Sequence, residues 1–124
     1  MLKKINKHLK TGCEGENKAA EYLAAKGFRI MERNWRSGHK EIDIIAMDRD
    51  ILVIVEVKTR KEASEQDMNE VVPLSKQQNL LEAAENYIQQ NNLSNEVRFD
   101  LVFVSLRNET FIIEHFEGAF NDEI

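Results

Sequence analysis

The alternation of apolar and polar positions is clearest in the middle of the chain. From Lys40 to Met47 and from Ile51 to Thr59, two β-prone runs flank Asp48, Arg49 and Asp50, a pattern that predicts a hairpin. Side chains along a strand alternate between faces. Glu41, Asp43, Ile45 and Met47 are therefore expected on one face of the first run, with Ile42, Ile44 and Ala46 on the other. Setting Ile45 against Ile54 and Ile44 against Val55 gives every apolar residue an apolar partner. The same register sets Asp43 opposite Glu56 and Glu41 opposite Lys58.

On either side of this hairpin the period lengthens. From about Gly12 to Lys26 the chain is rich in Ala, Glu and Lys and then meets Gly27, a residue suited to the left-handed position after a helix. The helical stripe Glu16, Ala19, Ala20 and Leu23 begins with a carboxylate, so Glu16 is expected to point toward the interior side. Ser75 and Gln78 resemble a capping box, and Leu80, Ala84, Tyr87 and Ile88 continue at helical spacing toward Asn91. Phe28 to Trp35, Val97 to Ser105 and Thr110 to Phe116 read as further strands, and residues 61–73 as a polar, acidic loop. The order predicts an α/β domain with a central mixed sheet, led by the 40–59 hairpin and flanked by two helices.

Composition bounds this picture without changing it. The 124 residues, 42% of them hydrophobic, suffice for one domain over 1–124, with a basic N-terminal arm at 1–11 and a loose acidic tail at 117–124. The arm, with Lys3, Lys4, Lys7, His8 and Lys10, reads either as a phosphate-contacting segment or as a solvated terminus. Cys13 is the only cysteine, which excludes an internal disulfide and a thiolate metal cluster, and His8, His39 and His115 lack zinc-ligand spacing. No stretch has the length of a signal peptide core or a membrane span, so a cytoplasmic protein without a membrane partner is expected. The net charge of -5 argues against nucleic acid until it is divided. Residues 1–60 hold 13 Lys and Arg against 9 Asp and Glu, whereas residues 61–124 hold 4 against 13. A nucleic-acid contact would belong to the first half, and the acidic half permits a protein partner or a homodimer.

The chemistry concentrates at the hairpin. Opposed carboxylates repel across a sheet, so Asp43 and Glu56 call for something positive between them. A hard divalent cation, Mg²⁺ or Mn²⁺, suits two carboxylates and keeps sites open for a phosphate. Lys58 shares the face of Glu56 and is placed to donate to a phosphate oxygen or to an attacking water. The alternative is a salt-bridged strand edge, but the apolar run Ile51 to Val55 argues that both faces of this strand are covered. Arg36, Arg60, Lys76 and Lys40 are candidate nucleic-acid contacts. Lys76 reads either as reaching the site or as a first-turn lysine in solvent, Trp35 either as a base-stacking platform or as core, and Asp100 either as a partner of Arg98 or a backbone group or as a metal ligand.

These residues carry a resemblance. Gly12, Gly15 and Glu16, then Tyr22, Leu23 and Gly27, then Asn34 and Arg36, then Glu41-Ile-Asp43-Ile-Ile-Ala46, then Val55-Glu-Val-Lys58-Thr-Arg60, then Lys76, and finally Arg98-Phe-Asp100 resemble the YraN family of bacterial proteins. That resemblance, over roughly Gly12 to Phe116, implies a restriction-endonuclease-like fold. A more distant similarity to archaeal Holliday junction resolvases implies a metal site on Glu16, Asp43 and Glu56, with Lys58 assisting catalysis, and commonly a homodimer. Lys40 stands where family members usually have glycine. The implied activity is metal-dependent hydrolysis of DNA, more than RNA, in branched or structured form. A catalytically silent nucleic-acid-binding or assembly module on the same scaffold is the other expectation.

Overall fold

The computed structural model describes residues 2–60 and 72–120, with side chains from residue 14 onward. The elements are α1 (Leu2–Ala25), β1 (Arg29–Ser37), β2 (Lys40–Asp48), β3 (Ile51–Arg60), α2 (Leu74–Gln90), β4 (Val97–Arg107) and β5 (Thr110–Phe120). The five strands form one sheet in the order β1-β2-β3-β4-β5. Only β3 and β4 run parallel, because α2 carries the chain back across the sheet between them. The sheet is therefore mixed and flanked by helices, as the pattern predicts.

Each helix covers its own core. Ala19, Ala20 and Leu23 of α1 pack on Ile44, Ala46, Val53, Val55, Val102 and Val104. On the other face Leu80, Ala83, Ala84 and Tyr87 of α2 pack with Ile42, Ile45, Leu52, Ile54, Phe99 and Leu101. Covering both faces explains why β3 is an almost unbroken apolar run. Gly15 lets α1 approach β3 closely, since an added Cβ would collide with the Thr59 side chain.

Boundaries differ from the sequence reading at three places. The α1 backbone is helical from Leu2, so the segment expected to be an arm continues the helix. Strand β5 runs on to Phe120, which takes the first residues of the expected loose tail into the sheet; residues 121–124 lie outside the described residues. The expected capping box is not used, because α2 starts at Leu74 with Pro73 as N-cap and no side-chain cap. Gln77 instead ties the start down, its Nε2 donating to the Val72 carbonyl at 2.7 Å. Of the loop expected at 61–73, residues 61–71 lie outside the described residues.

The hairpin register is the expected one from Ile44↔Val55 to Asp48↔Ile51. Beyond Ile44 and Val55 the β2–β3 ladder stops, while β3 stays paired to β4 as far as Arg60↔Ser105 and β2 stays paired to β1 as far as Lys40↔Ser37. The sheet thus forks between β2 and β3. The face alternation changes at the same level. Ile44 lies in the α1 core, but Ile42 lies in the α2 core rather than beside Ile44 as expected. At the same level Asn34, on β1 between the pairs Arg33↔Ile44 and Trp35↔Ile42, adopts φ 53, a left-handed conformation that interrupts the regular extended backbone of β1 while the register stays unshifted.

Candidate active site

Asp43 stands on β2 at the mouth of the fork, and its Oδ2 accepts a hydrogen bond from the Val57 backbone N–H at 2.8 Å. The carboxylate thus replaces the carbonyl that a continued ladder would offer this amide. Glu56, one residue earlier on β3, is buried at 4% exposure. Its Oε2 lies 3.5 Å from Lys58 Nζ and 4.0 Å from Lys76 Nζ. Glu56 and Lys58 lie beside Leu101 and Phe103 in the parallel register, on the face that α2 covers. One buried carboxylate is therefore approached by one lysine from the strand and another from the helix.

Asp43 and Glu56 are direct neighbours. Burial first, and then the Glu56 charge and a hydrogen bond to it, push the Asp43 pKa up to about 7; the Val57 amide and Lys76 pull against the rise. The opposition of Asp43 and Glu56 expected from the register is thus realised across the fork rather than as a paired rung. A hard divalent cation fits this donor set, because it would neutralise two carboxyl groups that otherwise resist sharing negative charge.

Glu16 is placed differently. On α1 it receives Arg33 Nη2 at 3.3 Å, and the same nitrogen donates to Asn17 Oδ1 at 2.8 Å. Glu16, Asn17, Arg33 and Asn34 line an open cleft of about 390 Å³. Among the described residues no group of three or more His, Cys, Asp or Glu is arranged to hold a metal ion, so Glu16 does not close with Asp43 and Glu56 into a three-acid cage.

The remaining candidates disperse. Lys76 reaches the site. Arg36 pairs with Glu41 at 3.2 Å and is 73% exposed, Lys40 pairs with Glu82 of α2 at 3.0 Å, and Arg60 lies over the Phe103 ring at 5.2 Å. Trp35 packs edge-on against Tyr87 at 5.1 Å, which makes it core. Asp100 is fully buried and accepts Arg98 Nε at 2.8 Å, lies 2.7 Å from His115 Nε2, and accepts the Gly118 amide at 3.0 Å. Sequence reasoning missed Arg33 as the partner of Glu16 and His115 as a partner of Asp100. Both contacts are long-range, and neither leaves a periodic signal.

A mixed sheet that forks around two carboxyl groups and a lysine defines a protein of the restriction-endonuclease-like class. More particularly, the chain belongs to the uncharacterised protein family UPF0102, the YraN family, whose pattern matches residues 15–104. It is 43% identical over 113 residues to a UPF0102 protein of Flavobacterium psychrophilum, covering 91% of this chain and 95% of that one. A UPF0102 protein of Bacteroides thetaiotaomicron is 42% identical over 113 residues, covering 91% and 93%. One from Syntrophotalea carbinolica is 40% identical over 114 residues, again covering 91% and 93%. Among the described residues no helix is long and apolar enough to cross a membrane.

Proposed function

We propose that this protein is a metal-dependent nuclease that hydrolyses phosphodiester bonds in DNA at the β2–β3 fork. The observation that carries the reading is the convergence of Asp43, buried Glu56 and Lys58 where the β2–β3 ladder opens. Asp43 and Glu56 would hold Mg²⁺ or Mn²⁺. Bound there, the ion supplies Lewis-acid polarisation of the phosphodiester and offsets the charge of the two carboxylates. Lys58 Nζ, restrained by Glu56, donates to a phosphate oxygen and stabilises the charge that builds on it during attack. Lys76 adds a second positive charge from α2, its Nζ 4.0 Å from Glu56 Oε2. The packing of Leu101 and Phe103 beneath the lysine excludes water from that side and strengthens these interactions.

The test is cleavage of single-stranded, duplex, flapped and four-way DNA, and of an RNA counterpart, with and without Mg²⁺ or Mn²⁺. Metal-dependent cleavage by the native chain, lowered at least about hundredfold in Lys58→Ala and in Asp43→Ala with the fold intact, is the expected result. Undiminished cleavage in both variants would place the activity elsewhere.

A second reading is favoured by one observation, the engagement of Glu16 with Arg33 away from a three-acid cage. On that reading the scaffold binds nucleic acid or a protein partner without cutting. Binding without turnover of any of these substrates, unchanged by the metal, would support it.

A further inference from the structure

We propose that the cleft between α1 and β1, lined by Glu16, Asn17, Arg33 and Asn34, receives one unpaired nucleotide of the nucleic acid that is cut at the fork. The position of the cut rests on the nuclease reading; the binding site does not. At about 390 Å³ the cleft lies at the small end of the range for ligand pockets, and it suits a single nucleotide inserted singly rather than a duplex lying across a groove.

Its chemistry points the same way. Arg33 spends one nitrogen, Nη2, on both Glu16 and Asn17. Among the described residues its Nε and Nη1 have no partner, so a guanidinium fixed in orientation still has donors for a phosphate. The amides of Asn17 and Asn34 offer both donor and acceptor groups, the combination that reads a base edge. Base edges of this kind are fully open only when the base is unpaired or splayed from its helix.

The backbone departs from an extended strand at the same spot. Asn34 holds φ 53 in the middle of β1, a left-handed conformation that asparagine adopts more readily than most residues. Its register position falls between Arg33↔Ile44 and Trp35↔Ile42, level with Asp43 on β2. One short stretch of strand pair thus carries both a wall of the cleft and the first acid of the fork. The substrate class that follows is nucleic acid with an unpaired residue, such as a single strand or a splayed junction.

The test uses the full chain and labelled oligonucleotides of one sequence, single-stranded, splayed-arm and fully duplex, in chelator, with binding followed by fluorescence anisotropy. The native protein is expected to bind the first two about tenfold more tightly than duplex at one ionic strength, and Arg33→Ala to lose that preference while duplex binding stays unchanged. Asn34→Gly keeps the left-handed backbone while removing the amide, and is expected to lower the preference severalfold even if Arg33→Ala unfolds. Equal binding of all three forms by the native chain, or an intact preference in Asn34→Gly and in folded Arg33→Ala, overturns the proposal. Cleavage in Mg²⁺ is read in parallel. Preference without Asp43-dependent cutting defeats the nuclease reading alone, and Asp43-dependent cutting without preference defeats the cleft alone.

Discussion

At Asp43 two demands conflict. The Val57 amide favours a charged carboxylate, whereas burial and the adjacent Glu56 favour a protonated one, and the second pair prevails. A carboxyl group whose folded pKa stands near 7, above its ordinary value of 3.8, weakens the fold once it must ionise. The penalty is absent below the unfolded value, grows as pH rises toward 7, and is constant above it. Asp43→Asn, which retains an acceptor for Val57, is therefore expected to be more stable than the native chain at pH 8, by on the order of 2 kcal/mol, with the gap closing toward pH 4. Urea unfolding at several pH values measures this. A constant gap across that range would show that ionisation of Asp43 is not the cause. Lys58 and Glu56 were legible in the sequence because they end an apolar run on one face. The parking of Glu16 against Arg33 was not, because helical periodicity fixes the side of α1 a residue faces and not which strand residue it meets.

Among the elements, the hairpin was the most legible and its far end the least. Apolar matching sets the register from Ile44↔Val55 to Asp48↔Ile51, but it carries no information past the last apolar pair, and there the ladder opens. The reversal of faces at Ile42 was hidden for a related reason. It coincides with the left-handed Asn34 on the neighbouring strand, a backbone feature that the apolar pattern of β2 does not encode. For α1 the decisive contact is the close pass of Gly15 over Thr59. Gly15→Ala is expected to destabilise the protein by about 1–3 kcal/mol, since helix and strand must part to admit the methyl group. Thr59→Ala, which removes both Oγ1 and Cγ2, should restore part of the loss, as a double-mutant cycle of chemical denaturation would reveal. Additive losses would exclude that contact as the cause.

Across the whole molecule, a second ionic cluster balances the site from the other side of the sheet. Arg98 bridges Asp48 at the β2–β3 turn to Asp100 on β4, and His115 with the Gly118 amide brings β5 onto the same carboxylate. Lys26, just after α1, reaches both His115 Nδ1 at 3.1 Å and Glu117 at 3.0 Å. Burial raises the Asp100 pKa, but the His115, Arg98 and Gly118 hydrogen bonds outweigh it and hold the carboxyl below its usual range. The sign is opposite to that of Asp43. This stabilisation is complete above the unfolded value of 3.8 and is lost as pH falls through the lower folded value. Asp100→Asn is expected to cost about 3–5 kcal/mol at pH 7, because Arg98 and its neighbours lose a buried counter-charge. Thermal melting should show the two proteins converging only in strong acid. A difference that persists there would assign the loss to packing.

The fork also places an observer inside the site. The Val57 amide proton rests on the Asp43 carboxylate, so its chemical shift and its exchange with solvent follow whatever that carboxylate does. In a ¹⁵N-labelled sample this one backbone resonance should move as Asp43 titrates, and move again when Mg²⁺ is added. It reports occupancy of the fork without any substrate, turnover or mutation.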